Sequence, residues 1–392
     1  MSDPTRKDLS QATRTVRAAL ESDTQHGAVV PPLHLTSTFA FSGYGEKREY
    51  DYSRSGNPTR DALGTALADL EGGAGAVVTA SGMAAVSLVT QLFKPGQVAV
   101  VPHDCYGGTY RLFNALHLRG ALQVRFVDYQ DPGALDVALA GNPALVWIET
   151  PSNPLLRIVD IAATAGKAKA VGALVVADNT FLSPVWQRPL ELGADVVVHS
   201  TTKYLNGHSD VVGGAVIAAK QETHDQLKWW GNCIGVTGAP FDSFMTLRGL
   251  RTLHARMRAH GENAARVADL LASHRAVKKA YYPGLASHAG HDIARRQQSG
   301  FGAMVSFELE GTLEHAKAFL HGVQLFSLAE SLGGVESLVA HPASMTHAAM
   351  DEAARARAGI TDTLVRLSIG IEDGNDLTAD LTAGLDAALA LR

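Results

Sequence analysis

The stretch "HSTTKYLNGHSD", residues 199 to 210, sets a single lysine among small polar residues straight after the apolar run "DVVVH". A surface lysine normally sits among other charges. Lys203 instead has Ser200, Thr201 and Thr202 on one side and "YLNGHSD" on the other. It is either an ordinary strand-end lysine or one whose amine does chemistry. A second apolar run, "ALVVA", ends in Asp178, 25 residues before Lys203. An Asp at a buried strand end is often a helix cap or a metal ligand. The separation is about one strand-to-strand crossover, so Asp178 and Lys203 can end neighbouring strands and face one cleft. A third run, "AVVTA", is followed by "SGMAA". Ser81, Gly82 and Met83 open a helix there, and Gly82 lets the backbone come close to a ligand. The free N–H groups of a first helical turn suit an anion such as phosphate, although Ser-Gly before a helix is also plain capping chemistry.

Together, an anion site, a strand-end carboxylate and a lysine beside small hydroxyls are the parts of a pyridoxal-phosphate site. That cofactor needs a lysine for covalent attachment, an acid against its ring nitrogen, and donors for its phosphate. The lysine must lose its proton to be nucleophilic, which a partly desolvated pocket beside a cationic ring favours.

The elements that must position these residues are legible in outline. From "NPTRDALGTALADLEGG" onward, Asn57 can cap a helix, Pro58 suits its first turn and Gly72-Gly73 stops it. The runs "AVVTA", "VAVVP", "LQVRFVD", "ALVWIET", "ALVVADN" and "DVVVHS" then alternate with helix-length segments such as "MAAVSLVTQLF" and "GTYRLFNALHL". Strands buried on both faces read this way, so a mostly parallel sheet wrapped by helices is expected. Beyond residue 240, "FDSFMTLRGLRTLHARMRAHGENAARVADLLASH" reads as one long helix, bent near Gly249 or Gly261. Fewer strands follow ("AMVSFELEG", "TLVRLSIGI"), an α+β pattern. The first 57 residues have paired prolines and no helical period, which suggests an arm lying on another surface. The expected division is an arm over 1–57, a cofactor-binding domain over 58–247 and a smaller α+β domain over 248–392.

Composition narrows the class. The chain has 392 residues, a net charge of −5 and no strongly basic stretch, which argues against a nucleic-acid face. Two distant cysteines, Cys105 and Cys233, make no disulfide framework and fit a reducing compartment. The N-terminus has no apolar signal core and no run approaches a membrane span, so a cytoplasmic protein without membrane or nucleic-acid partners is expected. His103, Asp104 and Cys105 are too tightly spaced for one metal, and no second cluster completes them, so no metal site is expected. Trp229-Trp230 reads as core or subunit contact. His199, His208, His341 and His347 flank site loops and receive no role.

The motifs "SGMAA", "PHDCYGGTYRLF", "ETPSNPLLRIVDI", "VVADNTFLSP", "HSTTKYLNGHSDVVGG" and "SLAESLGGVESLVAHPASMTH", in this order, resemble the Cys/Met-metabolism family of pyridoxal-phosphate enzymes. The similarity runs from about residue 10 to the C-terminus. Within that family "YDYSRSGNPTR", "LKWWGNCIGVTGAPFDSF", "RRQQSGFGAMVSFEL" and "THAAMDEAARARAGITDTLVRLSIGIEDGNDL" resemble the bacterial cystathionine γ-synthase branch most. The resemblance implies an aspartate-aminotransferase-like α/β fold (fold type I) and a homotetramer, a dimer of dimers with shared active sites. It implies γ-replacement of O-succinyl-L-homoserine by L-cysteine, giving L-cystathionine and succinate in methionine biosynthesis. The alternative is γ-lyase cleavage of cystathionine to cysteine, 2-oxobutyrate and ammonia.

The same resemblance assigns roles. Lys203 would hold the cofactor and move protons, Asp178 would pair with the ring nitrogen, and Tyr106 would stack on the ring. Gly82, Met83, Ser200 and Thr202 would bind the phosphate, with Tyr52 and Arg54 reaching it from a neighbouring subunit. Arg366 would fork onto the substrate α-carboxylate, with Ser331 and Asn153 assisting, and Asp51, Arg111 and Glu330 would shape the distal end of the substrate site. Without the resemblance, Arg366 reads as a strand salt-bridge residue, Tyr106 as a packing residue, and Glu330 and Asp51 as solvated carboxylates.

Overall fold

A computed structural model of the chain describes residues 8–346, 355–356 and 358–391. The sequence motifs that run through 347–354, with His347, lie partly outside these described residues. Seven short strands follow in chain order: β1 (Gly75–Thr79), β2 (Val98–Pro102), β3 (Gln123–Val127), β4 (Leu145–Glu149), β5 (Leu174–Asp178), β6 (Val196–His199) and β7 (Gly214–Ala218). They make one sheet in the order β1-β7-β6-β5-β4-β2-β3. Neighbours run parallel except where β7 pairs with β1 and β6, which are antiparallel. A second sheet contains β8 (Val277–Tyr281), β9 (Met304–Leu309), β10 (Ser327–Leu328), β11 (Leu338–Ala340) and β12 (Leu364–Ser368), in the order β10-β11-β12-β9-β8.

The inner strands β4, β6 and β7 of the large sheet are buried on both faces and read as apolar runs, whereas edge strand β3 alternates, with Gln123 and Arg125 exposed. Leu145, Trp147, Val176, Val196 and Val198 pack on one face, and Val146, Ile148, Val175 and Ala177 on the other. A third cluster joins the two sheets. It takes in Leu63, Val197, Tyr204 and Leu205 together with Val305, Phe307, Val365 and Leu367 of the second sheet. The chain just after Lys203 is therefore clamped in the core that both sheets share.

Local chemistry explains the element ends. The Asn57 side chain accepts from the N–H groups of Thr59 and Arg60, Pro58 fills the first turn of helix Pro58–Glu71, and Gly72 ends it at φ 76°. The long helix expected past residue 240 is two helices, Pro240–Leu250 and Leu253–Ser273. The break follows Gly249, whose carbonyl is taken by the Thr252 hydroxyl at 3.0 Å and Arg256 at 2.8 Å. A Cβ on Gly249 would fall 2.0 Å from the Asn206 carbonyl oxygen, so the helix end and the loop after Lys203 touch backbone to backbone. Gly261 lies inside the second helix and breaks nothing.

The sequence reading stopped its strand runs at "DVVVHS" and missed β7. Gly214 is needed for packing, since a Cβ there would sit 2.2 Å from the Ser81 carbonyl oxygen. It also missed β8, β10 and β11, which are short or solvent-facing. Within the expected arm, a short helix (Gln11–Val16) is followed by an extended path with isolated bridges only. Val29, Leu35, Phe41, Tyr44 and Tyr52 on that path are exposed. Among the described residues no helix is long and apolar enough to cross a membrane.

Candidate active site

The carboxyl ends of β4, β5 and β6 bring the first three residues together. Asp178 closes β5 and pairs in register with Val198 of β6, so the expected neighbouring strand ends are adjacent. Asp178 is half-buried and its Oδ1 accepts the Thr180 backbone N–H at 3.0 Å. Burial pushes its pKa up, while the Thr180 hydrogen bonds and the nearby His199 pull it down. The Thr180 hydroxyl accepts the Ser200 backbone N–H at 3.0 Å and ties the end of β5 to the loop after β6.

Lys203 lies in that loop. Its Nζ donates to the Ser331 hydroxyl at 2.7 Å. Burial lowers its pKa to about 8, the Arg366 charge adds to the shift, and Glu330 opposes it. A substantial neutral-amine fraction near neutral pH follows, as a nucleophilic lysine requires. Ser331 has a left-handed backbone at φ 95°, a conformation that costs about 1–3 kcal/mol outside glycine. Two residues on, Gly333 lets its loop lie against the lysine: a Cβ would come 2.8 Å from the Tyr204 nitrogen.

Arg366, on β12, is 3% exposed. Its Nη1 donates to Asn153 Oδ1 at 3.1 Å and its Nη2 to the Ser331 carbonyl at 2.8 Å. Its Nε is buried with no partner. Burial lowers its pKa to about 10, which leaves it a cation at neutral pH. The guanidinium is thus aimed by two neutral acceptors and keeps three of its five N–H donors and its charge unspent.

The phosphate candidates also converge. Ser81 caps helix Gly82–Thr90 by accepting the Ala84 N–H at 3.0 Å. The Gly82 and Met83 N–H groups have no partner within the helix. A Cβ on Gly82 would lie 2.8 Å from Ser200 Cβ, so only glycine lets this helix start press against Ser200. The Thr202 hydroxyl accepts the Gly213 N–H at 3.0 Å and donates to the Gly213 carbonyl at 3.2 Å, so it already serves the chain itself. The Tyr106 ring is 45% exposed. A Cβ on Gly108 would come 2.6 Å from this ring and 2.7 Å from the Met83 sulfur, so ring and sulfur meet over Gly108.

Other expected residues stand differently. Glu330 is exposed, within charge range of Lys203 and Arg366. Arg111 is exposed on helix Gly107–Leu118, with Nη1 beside Gly107. The described contacts of Asp51, Tyr52 and Arg54 do not reach this chain's own strand-end cluster. Asp51 pairs with Lys47 at 2.8 Å, and that bond with the Ser55 hydroxyl holds its pKa down to about 2. The Arg54 Nε donates to Asn232 at 3.0 Å, and its guanidinium lies 5.4 Å from the Tyr52 ring centre. Arg54 also lines a cavity of about 1100 Å³ whose walls include neither Lys203, Asp178 nor Arg366. That cavity lies apart from the residues that can do chemistry.

Sequence reasoning missed Glu149, at the end of β4. It is buried, its Oε2 accepts the Tyr106 backbone N–H at 2.8 Å, and it stands in register with Asp178. A lone acid ending "ALVWIET" was its only signal.

With this geometry in place, the chain's relatives decide the family. The sequence profile of the Cys/Met metabolism PLP-dependent enzymes matches residues 12–386. The chain belongs to that family. Its cofactor is therefore pyridoxal phosphate, and its fold is the mixed α/β fold type I. Cystathionine gamma-synthase of Escherichia coli is 59% identical over 96% of this chain and 98% of its own. Cystathionine beta-lyase of Coxiella burnetii is 50% identical over 95% of this chain and 97% of its own. Among solved structures, cystathionine gamma synthase from Xanthomonas oryzae pv. oryzae in complex with cystathionine superposes with a TM-score of 0.97 at 61% identity. That match covers 98% of this chain and 100% of the other.

The residues present fit the cofactor on this chain's own geometry. A lysine with a depressed pKa, a half-buried acid with no ion-pair partner among the described residues and a helix start pressed onto a serine match its aldehyde, ring nitrogen and phosphate.

Proposed function

We propose that this enzyme catalyses γ-replacement on O-succinyl-L-homoserine, exchanging succinate for L-cysteine and releasing L-cystathionine. One C–O bond at the γ-carbon breaks and one C–S bond forms. The observation that carries this reading is Arg366, a buried and aimed guanidinium with unspent donors beside the Lys203 amine. It presents a planar fork for an amino-acid α-carboxylate within reach of a base. The identity to the Escherichia coli and Xanthomonas oryzae gamma-synthases, above that to the Coxiella burnetii beta-lyase, favours synthesis over cleavage.

When bound, pyridoxal phosphate supplies an electron sink that stabilises negative charge on the substrate carbon. Lys203 Nζ anchors the cofactor, then accepts the α-proton and shuttles a β-proton, being tethered near both carbons. Ser331 orients that amine through its hydroxyl. Asp178 faces the ring nitrogen, Tyr106 covers the ring, and Gly82, Met83, Ser200 and Thr202 hold the phosphate. Asn153 and the Ser331 carbonyl aim Arg366, while Glu330, Arg111 and Asp51 shape the distal substrate site.

Tyr52 and Arg54 complete the phosphate site of a neighbouring subunit. The exposed extended path before residue 57 supports that role, and with it a shared-site dimer assembled into a homotetramer. In this reading residues 1–57 are the intersubunit arm, 58–247 hold the cofactor and 248–392 hold the substrate carboxylate, in a cytoplasmic enzyme. Incubation with succinyl-homoserine plus cysteine, and with cystathionine alone, tests the reaction. Cystathionine formation should dominate, and a dominant yield of 2-oxobutyrate from cystathionine would replace the synthase reading with γ-lyase.

A further inference from the structure

Glu149 is a buried carboxyl that the proposed mechanism leaves unused. The alternation along β4 puts it on the face of Leu145 and Trp147, and β5 puts Asp178 on the face of Val176. All pack in one cluster, so the two acids end adjacent parallel strands on the same side, in register. Register partners on neighbouring strands lie about 4.8 Å apart in backbone, so two carboxylates there would repel across little solvent.

The groups facing Glu149 offer no relief. From β5 comes Asp178. From the turn after β2 come Asp104, Cys105 and Tyr106. The nearby cation Arg157 is taken by Asp104 at 3.0 Å, which also accepts from the Ser152 hydroxyl. Among the described residues, no cation forms an ion pair with Glu149. What Glu149 does have is one donor, the Tyr106 backbone N–H. Tyr106 is the N-cap of helix Gly107–Leu118 and has no side-chain cap bond, so this contact fixes where its ring starts.

We propose that Glu149 is a positioning residue: it carries the one proton shared by the Glu149–Asp178 pair, leaves Asp178 as the anion, and pins Tyr106 by its backbone. Burial and the Asp178 charge both drive Glu149 well above the ordinary carboxylate range, against the single pull of the Tyr106 N–H. The inference rests on the reading that Asp178 and Tyr106 face the cofactor.

Two substitutions separate the acceptor from the charge. Glu149→Gln keeps a carbonyl for the Tyr106 N–H and is always neutral, whereas Glu149→Leu removes the acceptor. Cofactor titration of the stripped full-length protein should leave Glu149→Gln within about threefold of wild type. Glu149→Leu should bind about tenfold more weakly, the loss expected for one orphaned buried N–H. The visible circular dichroism of the reloaded protein, which reports ring orientation, should change in Glu149→Leu and be restored in Glu149→Gln. Difference infrared spectra at neutral pH should show a protonated-carboxyl C=O band in wild type that Glu149→Gln lacks. An ionised-carboxylate band lost in its place would mean an ionised Glu149 and overturn the proposal. Wild-type affinity and dichroism in Glu149→Leu would overturn the positioning role. If Glu149→Leu does not fold, the carboxyl band compared between wild type and Glu149→Gln still decides. Tyr106→Ala and Asp178→Asn serve as controls. If they also keep wild-type cofactor binding, the reading of the site fails. If they weaken it and neither Glu149 variant does, only this inference fails.

Discussion

Replacing Arg366 by lysine keeps a positive charge and removes a plane. The native guanidinium spends one Nη1–H on Asn153 at 3.1 Å and one Nη2–H on the Ser331 carbonyl at 2.8 Å, which locks the fork and leaves the second N–H of each Nη, with Nε–H, for a carboxylate. A lysine ammonium has three donors on one atom. Satisfying Asn153 and Ser331 leaves one, and it cannot offer a carboxylate two parallel bonds. The loss is one charge-assisted hydrogen bond, worth about 1.5–3 kcal/mol, or roughly ten- to hundredfold in affinity. The site is also 3% exposed, and burial disfavours an ammonium more than the delocalised guanidinium. The assay is an absorbance titration of the cofactor-loaded protein with an unreactive amino acid, which reports binding apart from turnover. The same titration with the amine lacking the carboxylate should not distinguish variant from wild type. Cofactor affinity should be unchanged. An Arg366→Lys protein that binds the amino acid as tightly as wild type would return Arg366 to an ordinary strand salt-bridge residue.

Other outcomes are expected from the same geometry. In the cofactor-free protein the Lys203 amine should titrate near pH 8, by isotope-edited NMR of a labelled lysine. Because folding lowers its pKa from 10.5 to about 8, the unfolded chain holds a proton that the folded chain releases between those values. Lys203 therefore costs stability below pH 8, and the cost fades as pH rises toward 10.5. Lys203→Met should raise the stability of the cofactor-free protein by up to roughly 3 kcal/mol near neutral pH, an advantage that shrinks under alkaline conditions. An advantage that is constant across denaturant melts at both pH values would refute the buried-amine assignment. Asp178→Asn should still bind cofactor, though more weakly than wild type, and turn over about ten- to hundredfold more slowly, since a neutral partner does not hold the ring nitrogen protonated. Near-normal turnover would leave Asp178 as a cap for Thr180. Mixing Arg54→Ala with Lys203→Ala after confirmed subunit exchange should recover roughly a quarter of wild-type activity, because half the dimers are hybrids with one intact site. No recovery would mean that each chain builds its own site.

The sequence by itself determined the elements whose signals are local. Apolar runs marked β1 to β6, because strands largely buried on both faces admit little else; edge strand β3 kept Gln123 and Arg125 exposed. Asn57-Pro58 and Gly72 marked a helix at both ends, through chemistry confined to a few residues. The spacing of Asp178 and Lys203 was enough to set them on adjoining strand ends, since one crossover has a nearly fixed length. Tertiary structure decided what depends on approach from elsewhere in the chain. β7 was missed, and Gly214 is where it passes the Ser81 carbonyl. The helix beyond residue 240 split because Gly249 meets the loop after Lys203 and Arg256 caps its carbonyl. Ser331 came to Lys203, and Asn153 to Arg366, across separations no local period records. Glu149 escaped notice for the same reason. One acid ending an apolar run says nothing until register sets it beside Asp178 and the turn after β2 lays the Tyr106 N–H on it. Hydrogen bonds and charges act over a few ångströms in space, and only the folded chain brings those distances about.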